Sequence, residues 1–260
     1  MLVILGRPSL KMSWGYLVLR LMMERELCSK QLSSVLCKAI LAAPALSVHE
    51  VVDHWIEEGN EVTRSVIAST TFHLHKRQMF ESALEFSESL ELEGHEFGER
   101  DFASHVDLIA KVHGLQETES YIANIPKSFQ GEVVYRTLLA NCVPVGNVQK
   151  AEEVFNEMKD LGFPITNIAC NQLLFLYKRS DKKKIADVLL LMEKDKVKPS
   201  LFTYKQLIDV KGQSNDITGM ENIVETMKDD GLEPDFTIKD LLAKHYISSG
   251  LKERAENLWR

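Results

Sequence analysis

Between Glu132 and Thr166 the apolar positions fall into two helical runs. Tyr135, Leu138, Leu139 and Cys142 follow i, i+3, i+4, i+7. After the break PVGN (144–147), Val148, Ala151, Val154 or Phe155, and Met158 take up the same spacing. Each run therefore carries one apolar stripe, and the pattern predicts two helices joined by a short turn. Gly146 and Gly162 follow the two runs, where left-handed or sharply turning backbone is needed. The alanines at 151, 186 and 255 fall midway along the second helix, where a small residue lets paired helices approach closely. Each large apolar side chain contributes roughly 1.5–3 kcal/mol when fully buried. One helical hairpin cannot bury both of its faces alone, so neighbours must stack on it.

The neighbours are legible as a tandem repeat. FNEMKDLGFP (155–164) returns as ETMKDDGLEP (225–234), with LLMEKDKVKP (190–199) between them. Prolines fall at 164, 199 and 234, a step of 35 each time. Gly146, Asp181, Asn215 and Gly250 step by 35, 34 and 35. Ala151, Ala186, Met220 and Ala255 share those intervals, as do Tyr135, Cys170, Tyr204 and Lys239. Landmarks that drift together mean one deletion inside one unit of an array. The expected fold is all-α, an α-solenoid of stacked helix-turn-helix repeats. Repeats span 132–166, 167–200, 201–235 and an incomplete 236–260. Residues 64–131 hold two degenerate repeats, with Ala83 and Gly94 in frame, and 31–63 read as degenerate capping helices. The segment 1–30 is atypical: three basic residues and no acid precede Glu24, compatible with organellar targeting although short of serine and arginine. The chain stops at AENLWR with its last helix unfinished, and the expectation is an incomplete product whose missing units would hold part of any ligand footprint.

Composition narrows the function classes. The chain is 45% hydrophobic and 27% charged, which suits a folded domain and not a disordered one. Its four cysteines form no CxxC pair, so neither a zinc ribbon nor a redox motif is expected. Net charge is −7, carried mostly by residues 1–131, since 132–260 hold 19 basic against 20 acidic residues. Eight of the acids lie in 81–101, and Glu81, Glu85 and Glu88 have the spacing of a solvated helix face. No basic stripe advertises general nucleic-acid affinity, so any RNA binding must be local. The run MSWGYLVL (12–19) is too short to span a bilayer.

Catalytic chemistry is not legible. HEVVDH (49–54) is one residue too long for a zinc-protease helix, because His49 and His54 stand about 140° apart around the axis. His73 and His75 point to different faces. No phosphate loop or nucleophile elbow occurs, and DKKK (181–184) reads as a solvated turn. The sequence calls for no metal, no cofactor, no small-molecule substrate and no membrane span.

VVYRTLL (133–139), FTYKQLI (202–208), AEEVFNEMKDLGFP (151–164) and VETMKDDGLEPD (224–235) together resemble the pentatricopeptide repeat. That family's units run Thr-Tyr-x-x-Leu-Ile, then Gly, Ala, Phe, Met, Gly and Pro-Asp. The tetratricopeptide alternative expects a Trp and a Leu-Gly in the first helix, and neither occurs. The stretch 170–209 is similar to the plant organellar subgroup built of plain 35-residue units. The resemblance implies a right-handed superhelix, a non-enzymatic role and single-stranded organellar RNA as ligand, alongside RNA-processing proteins. It implies mitochondria first and chloroplasts second. In that family two side chains per unit address one base. Here the pairs are Arg136 with Thr166, Asn171 with Ser200, and Lys205 with Asp235, while Asp240 opens a further pair. Asn171 with Ser200 resembles a pyrimidine-reading combination. Arg136 and Lys205 depart from the usual Asn, Thr or Ser and suit phosphate better than a base edge. Ala68 with Gly98 offers almost no hydrogen bonding. Asn171→Ala is expected to weaken one base contact without changing melting. The alternative function is a protein-interaction scaffold, to which the acidic first half points.

Overall fold

The computed structural model describes residues 35–43 and 47–259. The candidate targeting segment 1–30, with Cys28, lies outside the described residues. Every regular element among those described is helical. The chain divides into two compact units, one reaching Phe97 and one beginning at Gly98.

The first unit contains α1 (35–42), α2 (Val48–Glu57), α3 (Arg64–Lys76) and α4 (Phe80–Leu92). Helix α4 packs against both α3 and α2. Ser47 starts α2 with a capping box: its Oγ accepts from Glu50 N–H at 3.2 Å, and Ser47 N–H donates to the Glu50 carboxylate at 2.8 Å. Val48 N–H then donates to Glu85 Oε1 at 2.8 Å, tying the start of α2 to α4. Glu85 is thus half-buried and bonded, whereas Glu81 and Glu88 are exposed as a solvated face requires. Leu36, Val52, Leu74, Phe86 and Leu90 form the fully buried centre of this unit.

The second unit repeats one hairpin. Its helices are α5 (Glu99–Val112), α6 (Leu115–Asn124), α7 (Glu132–Val145), α8 (Val148–Asp160), α9 (Asn167–Arg179), α10 (Lys184–Lys194), α11 (Leu201–Gln213), α12 (Ile217–Asp229), α13 (Phe236–Ser248) and α14 (Lys252–Asn257). A 3₁₀ turn at Lys127–Phe129 leads into α7. Odd and even helices pair as hairpins, and each odd helix also packs on the next, α5 on α7 through to α11 on α13. The odd helices therefore form one continuous row. The apolar runs read from the sequence face inward: Tyr135, Leu138, Leu139 and Cys142 on α7, and Ala151, Val154, Phe155 and Met158 on α8, are all buried.

Polar side chains start the helices. Asn147, Thr166, Ser200, Asp216 and Asp235 each accept a backbone N–H from the first turn of α8, α9, α11, α12 and α13. Such a cap contributes typically ~1 kcal/mol. After the second helices the backbone turns left-handed. Gly162, with φ 75°, does this after α8. After α10 the same turn falls on Lys196, with φ 54°, and after α12 on Gly231, with φ 78°. Asn215, with φ 55°, instead turns the chain within a hairpin, between α11 and α12.

Two expectations are corrected here. PVGN does not break the first helix at its proline, because α7 continues through Pro144 to Val145. The proline stands so near the helix end that its missing N–H costs one bond, and Gly146, with φ 68°, makes the turn instead. The alanine landmark also slips. Ala151 and Ala255 are buried, but Ala186 is exposed and Ile185 takes the buried place. The missing residue of this repeat thus lies before α10, around its turn, and Ile185, Met220 and Ala255 keep even steps of 35.

Candidate nucleic-acid interface

The row of odd helices carries every residue singled out for RNA, in two sets. Arg136, Asn171, Lys205 and Asp240 are each the fifth residue of α7, α9, α11 and α13. Thr166, Ser200 and Asp235 are the caps of α9, α11 and α13. Both sets therefore lie at the N-terminal ends of adjacent, mutually packed helices. The caps are not unoccupied oxygens, since each already accepts from the N3 amide of its own helix. Thr166 Oγ1 takes Ala169 N–H at 3.3 Å, Ser200 Oγ takes Thr203 N–H at 3.3 Å, and Asp235 Oδ1 takes Ile238 N–H at 2.8 Å.

Asn171 and Ser200 are joined through two residues that the sequence reading passed over. Asn171 Nδ2 donates to Asn167 Oδ1 at 2.6 Å, and Ser200 Oγ donates to the same oxygen at 3.1 Å. Thr203 Oγ1 donates to Asn171 Oδ1 at 2.9 Å, and Asn167 Nδ2 donates to Lys198 O at 2.7 Å. From α11, Gln206 Nε2 reaches the Asn171 carbonyl at 3.1 Å. Asn171 is only 6% exposed. A carboxamide offers two donors and two lone pairs. One donor and one lone pair are spent inside the protein, so one of each remains. The network also fixes which side of the amide is nitrogen.

The charged positions differ from one another. Arg136 Nε sits 3.0 Å from Glu132 Oε1, one turn back on α7, so its charge is already countered. Lys205 is half-buried, and Asp235 and Asp240 are exposed. The Asp235 carboxyl is held below the usual carboxylate range, first by the Ile238 N–H, then by Thr237, with a smaller contribution from Lys205.

A second polar row runs further along the same helices, and spacing alone did not reveal it. Lys178 Nζ on α9 meets Asp209 Oδ2 on α11 at 3.0 Å, and His245 Nε2 on α13 meets Asp209 Oδ1 at 2.9 Å. Burial works to raise the Asp209 carboxyl, but the hydrogen bonds from Lys178 and His245 outweigh it and hold the group low. Upstream, Asn141 Nδ2 on α7 donates to Asp107 on α5 at 3.0 Å. These bonds stitch α5 to α7, α9 to α11 and α11 to α13. A signal was present in the sequence as polar residues on otherwise apolar helices, but their partners lie 31 to 36 residues away.

Comparison with known proteins agrees with this architecture. A family model described as the pentatricopeptide repeat domain matches residues 157–214, and one described as the PPR repeat matches residues 133–163. Two mitochondrial pentatricopeptide repeat-containing proteins of Arabidopsis thaliana are 57% and 56% identical over 226 residues, covering 86% of this chain. The chain spans 38% of the length of each. Among solved structures, the pentatricopeptide repeat protein PPR10 from maize is similar with a TM-score of 0.59 at 19% identity, over 87% of this chain and 34% of that one. PPR10 in complex with an 18-nt psaJ RNA element is similar at 0.62 and 17%, over 100% and 38%. Identities this low speak for the fold alone.

Proposed function

Because the chain belongs to the pentatricopeptide repeat family, we propose that it binds single-stranded RNA along its row of odd helices. In this reading it is a non-catalytic adaptor in RNA processing, stability or translation, working with other RNA-processing proteins in mitochondria. The compartment follows the names of its relatives and is preferred to chloroplasts. The observation that carries the reading is the Asn171–Ser200 network. It leaves Asn171 one N–H and one lone pair in fixed orientation, the minimum for a donor and an acceptor contact with a base edge. Lys205, at the same place on the next helix, supplies a cation for phosphate. Asp235 and Asp240 cannot meet phosphate favourably, and their unspent acceptor oxygens suit an exocyclic base amine. Arg136 sets its Nε against Glu132, so its terminal guanidinium nitrogens are the groups that would reach phosphate.

The test is fluorescence anisotropy of labelled single-stranded RNA pools with the full chain, against duplexes of the same composition and against protein baits. Preference for single strands, weakening as salt rises by counterion release, supports the reading. Asn171→Ser should then shift the selected base at one position. Equal affinity for single strands and duplexes, or none, would replace it with the protein-scaffold alternative, to which the acidic stretch 81–101 points.

A further inference from the structure

The HEVVDH stretch lacks the spacing of a metalloprotease helix, yet the fold gives its first histidine other company. His49 Nε2 and Asp53 Oδ2 lie 3.5 Å apart, one turn of α2 from each other. Glu93, the residue that closes α4, brings its carboxylate to the same place. One donor atom from each of His49, Asp53 and Glu93 lies within 4.8 Å of both others. Beside them, His95 Nε2 is 3.4 Å from Glu93 Oε2. We propose that His49, Asp53 and Glu93, with His95 as fourth donor, form a binding site for a divalent transition-metal ion of the zinc class.

Ligand chemistry and spacing both support it. Zinc bonds of ~2.0–2.2 Å in a tetrahedron place neighbouring donor atoms roughly 3.4 Å apart. The His49–Asp53 and Glu93–His95 separations already have that value, within a tenth of an ångström. His49 and Asp53, about half exposed at 48% and 49%, can turn to close the wider gaps, while His95, 31% exposed and placed against Glu93, would swing in as the fourth donor. Two imidazoles and two carboxylates make a mixed nitrogen–oxygen set with a charge that balances a dication. Such a set favours Zn²⁺, Ni²⁺ or Cu²⁺, whereas Mg²⁺ and Ca²⁺ take oxygen ligands. The two halves of the site come from separate helices that the fold holds together independently, through the Val48–Glu85 bond and the buried Val52 and Phe86. The donors are therefore brought together before any ion arrives, and a bound ion would clasp the middle of α2 to the end of α4. His54 is not part of it, since its ring lies 3.4 Å from Glu58 and 3.9 Å from Glu57.

The experiment is calorimetric titration of the full chain with ZnCl₂ and, separately, with MgCl₂, for the wild type and for His49→Ala, Glu93→Gln and His54→Ala. Saturable binding of one Zn²⁺ per chain, no response to Mg²⁺, and affinity reduced at least about tenfold by either His49→Ala or Glu93→Gln, but not by His54→Ala, is the expected result. Circular dichroism establishes that each variant is folded, as exposed positions should allow. Absence of saturable Zn²⁺ binding, or binding unchanged in both His49→Ala and Glu93→Gln, would overturn the proposal.

Discussion

The phenol of Tyr177 donates to Glu152 Oε1 at 2.7 Å, and Tyr246 makes the same bond to Glu221 Oε1 at 2.9 Å. Both join an odd helix to the even helix of the preceding hairpin. Each carboxylate also receives a cation from further along the chain, Lys184 at 2.5 Å and Arg254 at 2.6 Å. The corresponding place holds Cys142 on α7, one hairpin earlier, and Lys211 on α11, the hairpin between them. Apolar packing thus repeats every hairpin, while this polar clasp repeats every second one.

Tyr177→Phe removes the bond and leaves the ring. A hydrogen bond to a charged group contributes about 1.5–3 kcal/mol when well buried, and exposure of Glu152 puts this one at the low end. Urea denaturation should show a loss of about 1 kcal/mol for Tyr177→Phe, and a similar loss for Tyr246→Phe. Unchanged midpoints would mean that water replaces the bond without cost.

Asn171→Ala should lower stability as well as any RNA contact, contrary to what the sequence suggests. The change takes from Thr203 Oγ1 its acceptor on Asn171 and from Asn167 Oδ1 its amide donor, although Thr203 keeps its contacts with Ser200 and Asn167. The expected cost is about 1–3 kcal/mol, seen as a lower melting temperature. Thr203→Val tests the same network from the other side and should destabilise without touching a base-reading position. If Asn171→Ala melts like the wild type, the network is not what holds the residue.

His105 predicts how the fold responds to acid. Its ring is stacked on Tyr121 at 4.6 Å, and burial lowers its pKa to about 4. A folded-state value below the unfolded ~6.5 means that the unfolded chain binds the proton first. The stability associated with the neutral ring is complete above pH 6.5 and is lost as pH falls towards 4, on the order of 3 kcal/mol in all. His105→Phe should flatten the melting-temperature profile across that window. Asp209, whose carboxyl is held low, adds a second decline below the ordinary carboxylate range, which Asp209→Asn should remove.

Gly212 admits the His245 ring to the α11 surface. A Cβ there would stand 2.3 Å from ring carbons of His245, which is 6% exposed and bonded to Asp209. Gly212→Ala should cost about 1–3 kcal/mol by overpacking, although alanine is the better helix former. In Gly212→Ala/His245→Ala the clash disappears, and chemical denaturation should show a penalty smaller than the sum of the two single changes.

The parts that the sequence disclosed are those it writes with residue type alone. Proline at 164, 199 and 234 and the apolar stripes of α7 and α8 declared the hairpin and its period, because nothing else satisfies that spacing. Ala186 misled because a deletion in a turn shifts one helix without altering the landmarks after it, and only packing reveals that Ile185 faces inward. Thr166, Ser200 and Asp235 stand out in the sequence as candidate RNA-facing residues, and the structure adds that each caps a helix. A cap bond is local, yet sequence position does not say which oxygen is already taken. The Tyr177–Glu152 and Lys178–Asp209 links were out of reach, since each joins different hairpins and recurs too rarely to show as a period.

The left-handed turns at Gln78, Lys196 and Asn215 mark spare capacity in this scaffold. A side chain in that backbone region costs roughly 1–2 kcal/mol beside glycine, less for asparagine. Lys196→Gly and Gln78→Gly would relieve strain at positions outside the candidate interface. A chain tuned only for endurance would carry glycine at both, so this fold has thermal headroom that a designer could claim without touching what it binds.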